Sequence, residues 1–470
     1  MRSKPRGWRI ALGCTLALAA CSAVSPAVSP SPADAPRVVQ REFRGVWLTT
    51  VGNMDWPSRP GLPADSQRAE LIAMLDRAAE IRLNAVILQV RPAGDAIYPS
   101  ELEPWSDYLS GEQGRPPAPA YDPLAFAVEE AHRRGLELHA WFNPYRARHP
   151  SARGPAAASH ISRARPHLVR AYGTQLWMDP GEDSVRAHSL RVILDVVRRY
   201  DVDAVHLDDY FYPYRENDAS GAPIQFPDDS SYGRYVRGGG RLGRDDWRRD
   251  NVDRFVEELY REVKREKPWV QVGISPIGIW RPGYPRQICC YDAYQELYAD
   301  SRKWLRSGWL DYFAPQLYRP VAHPTLSYPI LLGWWVGENA HGRHVWPGNF
   351  TSRVGNLRDG NWRTDELVGQ IHVTRGQAGA TGNIHFTMNV FMQNPDSLVE
   401  RLRDVTYREP ALVPASTWLG GRAPPRPVAR LATLTRDTVE VRIEAGPGGQ
   451  PARWVVQSRY GELWQTEILP

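Results

Sequence analysis

Cysteine is scarce in this sequence, with 4 among 470 residues. Cys14 and Cys21 fall near the N-terminus, and Cys289 and Cys290 are adjacent to each other. Adjacent cysteines close only a small strained ring, so we expect no disulfide between them. The sequence therefore excludes a disulfide-stapled scaffold, and it contains no Cys/His spacing typical of a structural metal site.

Positive charge is also low once the first residues are set aside. The net charge is +5, and Arg2, Lys4, Arg6 and Arg9 contribute four of these charges in a stretch without acidic residues. The nearly neutral remainder gives no electrostatic reason to expect nucleic acid as a partner. A Gly-rich phosphate loop and a Gly-x-Ser-x-Gly motif are absent as well. We expect no cofactor and no bound metal.

The N-terminal segment has the pattern of a targeting signal. A basic start is followed by an apolar run over 10–20, which is too short to span a bilayer. The run ends in Leu18-Ala-Ala-Cys21, which resembles the lipobox of bacterial lipoproteins. The resemblance implies cleavage before Cys21, lipid on its thiol and, with Ser22 next, an outer-membrane anchor facing the periplasm. We predict a signal peptide over 1–20 and a tether over 21–40; a plain secretory signal is the alternative.

Short apolar runs alternate with amphipathic segments between residues 41 and 410. Leu71, Leu75 and Ala78, for example, recur at the spacing of a helix that buries one face. Eight strand–helix pairs predict an α/β fold, a (β/α)8 TIM barrel. The predicted strands are 43–51, 84–91, 136–143, 202–209, 270–275, 310–317, 344–348 and 383–391. The predicted helices are 66–82, 123–134, 184–200, 246–267, 294–307, 324–336, 364–374 and a short one near 396–405.

The composition and the pattern of apolar residues change after residue 410. A Pro-rich break at 423–427 precedes four short alternating runs with Gly-rich turns. We predict a small β-sandwich-like, fibronectin- or Ig-like module over 425–470.

The fourth predicted strand carries the strongest candidate site. It ends in His206-Leu-Asp208-Asp209-Tyr210. Two carboxylates at the end of an apolar strand carry a large desolvation cost, which indicates a functional role. Because side chains alternate along a strand, we expect His206, Asp208 and Tyr210 on one face and Asp209 on the other. A helix cap or a salt bridge is the structural alternative. In a barrel, the carboxyl ends of the strands hold the chemistry.

Other polar and aromatic side chains fall at or near the ends of predicted strands. Trp is more frequent than Phe, 18 against 10, which is typical of a surface that stacks on a ligand. Trp141 lies between His139 and Asn143 on one strand face and suits a sugar ring, although a core Trp is an equal alternative. We predict as substrate-binding residues Trp47, Arg91, His139, Trp141, Asn143, His206, Tyr210, Gln316 and Asn389.

Four stretches together resemble the glycosyl-hydrolase-like family ten barrels. They are residues 43–57, 89–100, 140–146 and 206–213, in the order of that family's signatures, and the resemblance covers about 41–405. It implies a cell-envelope glycosidase, since the family includes lipoproteins similar to a division-associated hydrolase of peptide-stripped peptidoglycan strands. It ranks Asp208 first among the catalytic candidates. The proton donor stays open between Asp209, Asp95 and Glu103.

These patterns lead to one main hypothesis and two alternatives. The main hypothesis is a monomeric envelope glycoside hydrolase that acts on amino-sugar glycan strands through the catalytic candidates Asp208, Asp209 and Asp95. A non-catalytic glycan-binding lipoprotein is the first alternative, because no Glu ends strands five to eight. A metal-dependent barrel hydrolase using His206, Asp208 and His139 is the second.

Overall fold

A computed structural model of the chain describes residues 8–11, 35–420, 427–435, 438–446 and 453–470. The chain divides into two compact units, one over 40–419 and one that combines 1–39 with 420–470. Cys21, the rest of the predicted signal apart from 8–11, the tether up to residue 34 and most of the Pro-rich break lie outside the described residues. The predictions made for them stay predictions.

The larger unit is built on a parallel sheet, as the alternation of apolar and amphipathic segments predicted. All neighbouring strands run parallel. The strands are β1 (Phe43–Leu48), β2 (Ala85–Arg91), β3 (Glu137–Phe142), β4 (Ala204–Leu207), β5 (Gln271–Ile274), β6 (Tyr312–Phe313), β7 (His344–Val345), β8 (Gly348–Asn349) and β9 (Gly382–His385).

The sheet closes on itself through the predicted seventh strand. Its order is β7-β6-β5-β4-β3-β2-β1-β9-β8. β7 and β8 lie at the two ends of this order, yet Trp346 and Pro347 alone separate them in the chain. The seventh strand is therefore two short pieces, of which β7 pairs with β6 and β8 with β9. The predicted TIM-like barrel is confirmed, with a break where it closes.

Helices cover the outside of this sheet and follow most strands. In the helix Ala64–Glu80, buried Leu71, Met74, Leu75 and Ala78 form the face that packs inward. The helices are Ala64–Glu80, Asp107–Ser110, Pro123–Arg133, Ile161–Ala164, Asp183–Arg199, Asp229–Arg237, Arg244–Glu266, Ala293–Glu296, Ser301–Ser307, Tyr328–Glu338, Thr364–Gly376, Met388–Gln393 and Leu398–Arg401. The single helix predicted over 294–307 is two separate helices.

Long loops follow β2, β3 and β4 at the carboxyl edge of the sheet. The loop after β3 contains its own antiparallel sheet, formed by Arg146–Arg148, Gln175–Met178 and Val169–Tyr172. These loops place their residues above the carboxyl ends of the strands, where a barrel of this kind holds its site. It positions the site described below.

The smaller unit contains antiparallel strands. β10 (Val428–Thr435) pairs with β11 (Thr438–Glu444), and β12 (Trp454–Tyr460) pairs with β13 (Leu463–Leu469). A further strand, Trp8–Ala11, pairs with β11 and lies within the predicted signal peptide. Among the described residues, no helix is long and apolar enough to cross a membrane.

The expectation for the adjacent cysteines was wrong. Cys289 and Cys290 form a disulfide in the loop after β5. Cys290 has a φ of 85°, in the left-handed region. The backbone thereby adopts a conformation that the ring-closure argument from sequence did not consider.

Candidate active site

A pocket of about 340 Å³ opens above the carboxyl ends of the barrel strands. A cavity of this size suits one or two sugar rings. Aromatic side chains form much of its wall: Trp47, Trp141, Tyr210, Tyr214, Tyr318 and Phe386. Its polar lining includes Gln89, Arg146, His149, Asp208, Asp209, Ser275 and Gln316.

Asp208 lies in this pocket directly after β4. The side-chain amide of Asn143 donates to its Oδ2, and the backbone N–H of Tyr210 donates to its Oδ1 at 3.3 Å. Burial and, next, the charge of Asp209 raise the pKa of Asp208 to about 7. A carboxyl group with this pKa is protonated in about half of the molecules at pH 7 and can release that proton to a substrate.

Asp209 lies in the same pocket and is held by two donors. The Tyr214 hydroxyl donates to its Oδ2, and Gln316 Nε2 donates to its Oδ1 at 3.1 Å. Burial raises the pKa of Asp209, while both hydrogen bonds oppose that rise. Burial is the larger cause of the raised pKa of Asp208, and the negative charge of Asp209 adds to it, so the two groups titrate as a coupled pair in which an ionised Asp209 favours a protonated Asp208.

The expected separation of the two carboxylates onto opposite strand faces does not occur. β4 ends at Leu207, so strand alternation no longer applies to Asp208 and Asp209. Both side chains line the pocket instead. The sequence could not place the end of the strand to within the one or two residues that decide this.

Arg146 connects the pocket wall to Asn143 and was not among the predicted residues. Its guanidinium lies over the Tyr210 ring at 4.2 Å from the centroid and donates to Asn143 Oδ1 at 3.1 Å. Gln89 Nε2 donates to the same oxygen at 2.6 Å. These two donors orient the Asn143 amide so that its NH2 group points at Asp208. Asn143 thus acts on the site through Asp208.

His206 lies below the pocket, in a hydrogen-bonded column through the barrel. Trp47 Nε1 donates to His206 Nε2 at 3.0 Å, and His206 Nδ1 lies 2.8 Å from the Tyr312 hydroxyl. An indole N–H can only donate, so Nε2 of His206 is the acceptor and Nδ1 carries the proton. Tyr312 can then donate to His139 Nδ1 at 2.9 Å, and His139 Nε2 to Glu137 at 3.1 Å.

This column keeps His206 neutral and away from the carboxylates. Burial, and then His139, lower the pKa of His206 well below its usual value. Both of its ring nitrogens are engaged by Trp47 and Tyr312. The metal-site alternative needs His206, His139 and Asp208 together, and the structure does not bring them together. Within the described ranges, no group of three or more His, Cys, Asp or Glu side chains could hold a metal ion.

Among the described residues that line the pocket, four buried polar atoms have no hydrogen-bond partner: Thr49 Oγ1, Trp141 Nε1, Arg146 Nε and Ser275 Oγ. Trp141 Nε1 and Ser275 Oγ are the two that lie at or near the ends of predicted strands three and five. Trp141 is 5% exposed and Ser275 is 1% exposed, and both line the pocket. Buried polar groups are nearly always hydrogen-bonded, so these two are available to a bound ligand.

The predicted site residues divide between this pocket and its surroundings. Asp208, Asp209, Trp47, Trp141, Tyr210 and Gln316 line the pocket. Asn143, His139 and His206 lie behind it. Asn389 lines a neighbouring groove of about 580 Å³, which shares Met54 and Phe386 with the pocket.

Arg91 and Asp95 both lie outside the pocket. Arg91 pairs with Glu103 and not with Asp95, through Nε to Oε2 at 2.7 Å. Burial opposes ionisation of Glu103, but Arg91 and His188 outweigh it and lower the pKa of Glu103 to about 2. A permanently charged Glu103 cannot donate a proton at neutral pH.

Asp95 lines a separate cavity of about 10 Å³. It accepts from Ala93 N at 3.0 Å and from Gln113 Nε2 at 3.1 Å. Burial, and then Asp107, raise the pKa of Asp95 to about 7. The pKa of Asp95 is therefore raised as that of Asp208 is, but Asp95 lies outside the pocket that Asp208 lines.

Some pocket residues were missed although the sequence gave a signal for them. Ser275 is the last residue of predicted strand five, and Tyr318 follows predicted strand six, where a barrel presents its site. Tyr214 lies four residues beyond Tyr210 in an aromatic run. His149, Met54 and Phe386 come from loop geometry that no local pattern indicates.

Comparison with known proteins gives consistent matches. A family model described as glycosyl hydrolase-like 10 matches residues 42–362. Glycosyl hydrolase YngK of Bacillus subtilis (strain 168) is 38% identical over 435 residues, which is 91% of this chain and 83% of that protein. Glycosyl hydrolase DigH of Escherichia coli (strain K12) is 35% identical over 335 residues, which is 67% of this chain and 74% of that protein.

Solved structures also match at lower identity. The glycoside hydrolase domain of PgaB (BpsB) from Bordetella bronchiseptica is 15% identical with a TM-score of 0.49, and the match covers 78% of this chain and 99% of that one.

Proposed function

Because this chain belongs to the glycosyl hydrolase-like 10 family, we propose that it is a glycoside hydrolase of the cell envelope that cuts amino-sugar glycan strands. Its substrate is peptidoglycan from which the peptides have been removed. Family membership supports the broader class, a hydrolase of glycosidic bonds. The observation that carries the proposal is the pair Asp208 and Asp209, two buried carboxyl groups that open into an aromatic pocket.

The two carboxyl groups are suited to different tasks. Asp208 holds a proton near neutral pH and protonates the leaving oxygen of the scissile bond. Asp209 is ionised, and its charge stabilises the positive character that develops at the anomeric carbon. The sequence ranked Asp208 first among the catalytic candidates and left the proton donor open between Asp209, Asp95 and Glu103. The raised pKa of Asp208 next to the charge of Asp209 supports Asp208 as the donor.

The aromatic walls suit a sugar polymer. Trp47, Tyr210 and Phe386 present flat apolar faces, and such faces stack on the C–H faces of sugar rings. Trp141 Nε1 and Ser275 Oγ have no partners in the described part of the chain and can bond sugar hydroxyl or amide groups. The groove at Asn389 continues the pocket through Met54 and Phe386, which gives room for neighbouring sugar units.

The proposal includes the subcellular location of the protein. The lipobox-like sequence before Cys21 supports a lipid anchor in the outer membrane, with the barrel facing the periplasm. A monomeric barrel on a tether would reach the glycan strands of the envelope directly.

A reducing-end assay tests this function. Purified protein is incubated with peptide-free glycan strands, and new reducing ends are measured over time. We expect them with the wild type and at least ~10³-fold more slowly with Asp208→Asn. Asp95→Asn is the matched control, because Asp95 is also buried with a raised pKa but lies outside the pocket.

The outcomes separate the proposal from its alternative. Glycan binding by the wild type without any new reducing ends would identify a non-catalytic glycan-binding lipoprotein. Equal activity of wild type and Asp208→Asn would remove Asp208 from the mechanism.

A further inference from the structure

The carboxylates of the pocket all come from one wall. Within the described part of the chain, Asp208 and Asp209 are the acidic residues that line it. They are consecutive, so their Cα atoms are about 3.8 Å apart. Both extend from the end of β4, and hydrogen bonds from Asn143 and Gln316 hold them there.

The described residues of the wall across the barrel include no carboxylate that lines the pocket. β9, the eighth strand of the ring, lies opposite β4, and the residues that line the pocket from β1, β9 and their loops include Trp47, Met54 and Phe386. These side chains are apolar or donate a single N–H. Among the residues that the structure describes, the pocket wall opposite Asp208 and Asp209 therefore supplies no carboxylate.

Glycosidases with two protein carboxylates need a different arrangement. The pair flanks the scissile bond at about 5–5.5 Å for retention, or at about 6.5–9.5 Å with a water between for inversion. Both schemes place the two groups on opposite sides of the anomeric carbon. Consecutive residues on one wall do not meet this requirement, so the attacking group has to come from the substrate or from solvent.

We propose that the attacking group is the 2-acetamido oxygen of the substrate, so that the enzyme cleaves bonds next to an N-acetylhexosamine unit and retains the anomeric configuration. This inference rests on the proposed glycoside hydrolase function and specifies its chemistry. Asp209 accepts the N–H of the acetamido group, and Asp208 protonates the leaving oxygen. Neutral hexose polymers without an acetamido group are not substrates.

The step balances within the enzyme and its substrate. The acetamido oxygen forms a bond to C1 as the bond from C1 to the leaving oxygen breaks. The bonding pair goes to that oxygen, which takes the proton of Asp208. The acetamido N–H proton passes towards Asp209 as a cyclic oxazoline forms. Water then adds to C1 and gives a proton to Asp208, the C1–oxazoline oxygen bond breaks, and nitrogen takes its proton back.

The surroundings of each carboxyl group fit these roles. The hydrogen bonds from Tyr214 and Gln316 fix Asp209 as an acceptor, so its lone pairs are oriented before substrate arrives. The raised pKa of Asp208 supplies a proton at neutral pH. Trp141 Nε1 is an unpartnered donor in the pocket and matches the acetamido or ring oxygens of such a sugar.

Two independent measurements test the inference. The first is proton NMR of the new reducing ends released from peptide-free glycan strands. We expect initial retention of configuration and no glycosyl–enzyme adduct by mass spectrometry after rapid quenching. Inversion, or a covalent adduct on either Asp, overturns the inference while the glycoside hydrolase function stands.

The second measurement does not need turnover. It is calorimetric binding of the thiazoline derived from N-acetylglucosamine, a stable mimic of the oxazoline. We expect saturable binding to the full-length wild type and at least ~10-fold weaker binding to Asp209→Asn, which loses the charge that faces the ring nitrogen. Asp95→Asn is the control and should bind as the wild type does.

The two experiments distinguish the possible failures. Absence of thiazoline binding at millimolar concentration overturns the acetamido role even where strands are cut. Strands left uncut by a protein that binds the thiazoline contradict the proposed hydrolase function and leave a site for acetamido sugars.

Discussion

The indole N–H of Trp47 donates a hydrogen bond to Nε2 of His206 over 3.0 Å. This bond joins a pocket-wall residue to a histidine in the barrel interior. Because the indole can only donate, it also sets the tautomer of His206 and the direction of the hydrogen bonds to Tyr312 and His139. The orientation of the Trp47 ring is thereby fixed before any substrate binds.

Replacing His206 tests this support. His206→Ala leaves Trp47 Nε1 buried without its acceptor, which costs about 1–3 kcal/mol, and leaves the Tyr312 hydroxyl with His139 as its remaining partner. We expect a lower melting temperature and a raised KM, since Trp47 is no longer held. His206→Gln, whose amide oxygen can accept from the indole, should recover part of both. A variant with unchanged KM and melting temperature would contradict the assigned role.

The pH dependence of stability follows from the same residue. Burial lowers the pKa of His206, so the folded state resists protonation while the unfolded chain takes up a proton below its usual pKa of about 6.5. The wild type should lose stability from this group as pH falls through that range. In denaturant unfolding at pH 7.5 and 5.5, His206→Gln should lose less stability than the wild type.

Asp208 should control the basic limb of the activity profile. Its pKa is raised to about 7, and the proton donor is its protonated form, so the rate should fall as pH rises above that value. Asp208→Asn should remove this limb along with at least ~10³-fold in kcat. Aryl glycosides with good leaving groups should lose less, because they need less protonation. An unchanged basic limb in the variant would assign it to another group.

The same substitution should stabilise the fold at high pH. A carboxyl group whose folded pKa lies above its unfolded value destabilises the native state once pH exceeds the unfolded value, and the cost grows until the folded pKa is passed. Asp208→Asn should therefore gain ~1–4 kcal/mol over the wild type at pH 8 and nothing at pH 3. Urea unfolding at the two pH values measures the difference.

Tyr214 should act on the rate through Asp209. Its hydroxyl donates to Asp209 Oδ2, and this bond opposes the rise of the Asp209 pKa that burial causes. Tyr214→Phe should move the acidic limb of the profile to higher pH and lower kcat by ~10-fold, with folding intact. Tyr291→Phe is the control, because Tyr291 packs near the Tyr214 ring and its hydroxyl has no partner in the described residues.

Gly273 should tolerate no side chain. A Cβ at this position in β5 would lie 1.8 Å from the Tyr312 ring, inside the barrel where the ring cannot withdraw. Gly273→Ala should destabilise the fold by more than ~2 kcal/mol and disturb the bonds of Tyr312 to both histidines. Gly337→Ala is the matched control, since a Cβ there meets nothing within 4 Å in a helix. Equal melting temperatures for both variants would mean that Tyr312 can move.

Much of the barrel could be predicted from sequence because its strands are buried on both faces. Residues 85–91 are buried throughout and apolar except for Gln89 and Arg91, and such runs are typical of parallel sheets. Helix faces such as that of Leu71 and Leu75 follow directly from spacing. The division of the seventh strand into two pieces could not be predicted, because a strand of two residues is too short to show a sequence periodicity.

The sequence predicted where the candidate site lies in the fold, but it did not predict the orientation of the side chains in that site. Asp208 and Asp209 were found because charge is rare at the end of an apolar strand. Their common orientation depends on β4 ending at Leu207, and the partners of His206, which are Trp47 and Tyr312, lie far away in the chain. Such long-range contacts form only in the tertiary structure, and no local sequence pattern predicts them.

The disulfide between Cys289 and Cys290 bears on how the protein can be labelled. With Cys14 in the predicted signal and Cys21 as the proposed lipid attachment site, a chain processed in this way would have no free thiol. A maleimide dye should not react with it under non-reducing conditions. A single cysteine engineered at the pocket rim, for example at the exposed Met54, would then be a unique reporter of glycan binding by fluorescence.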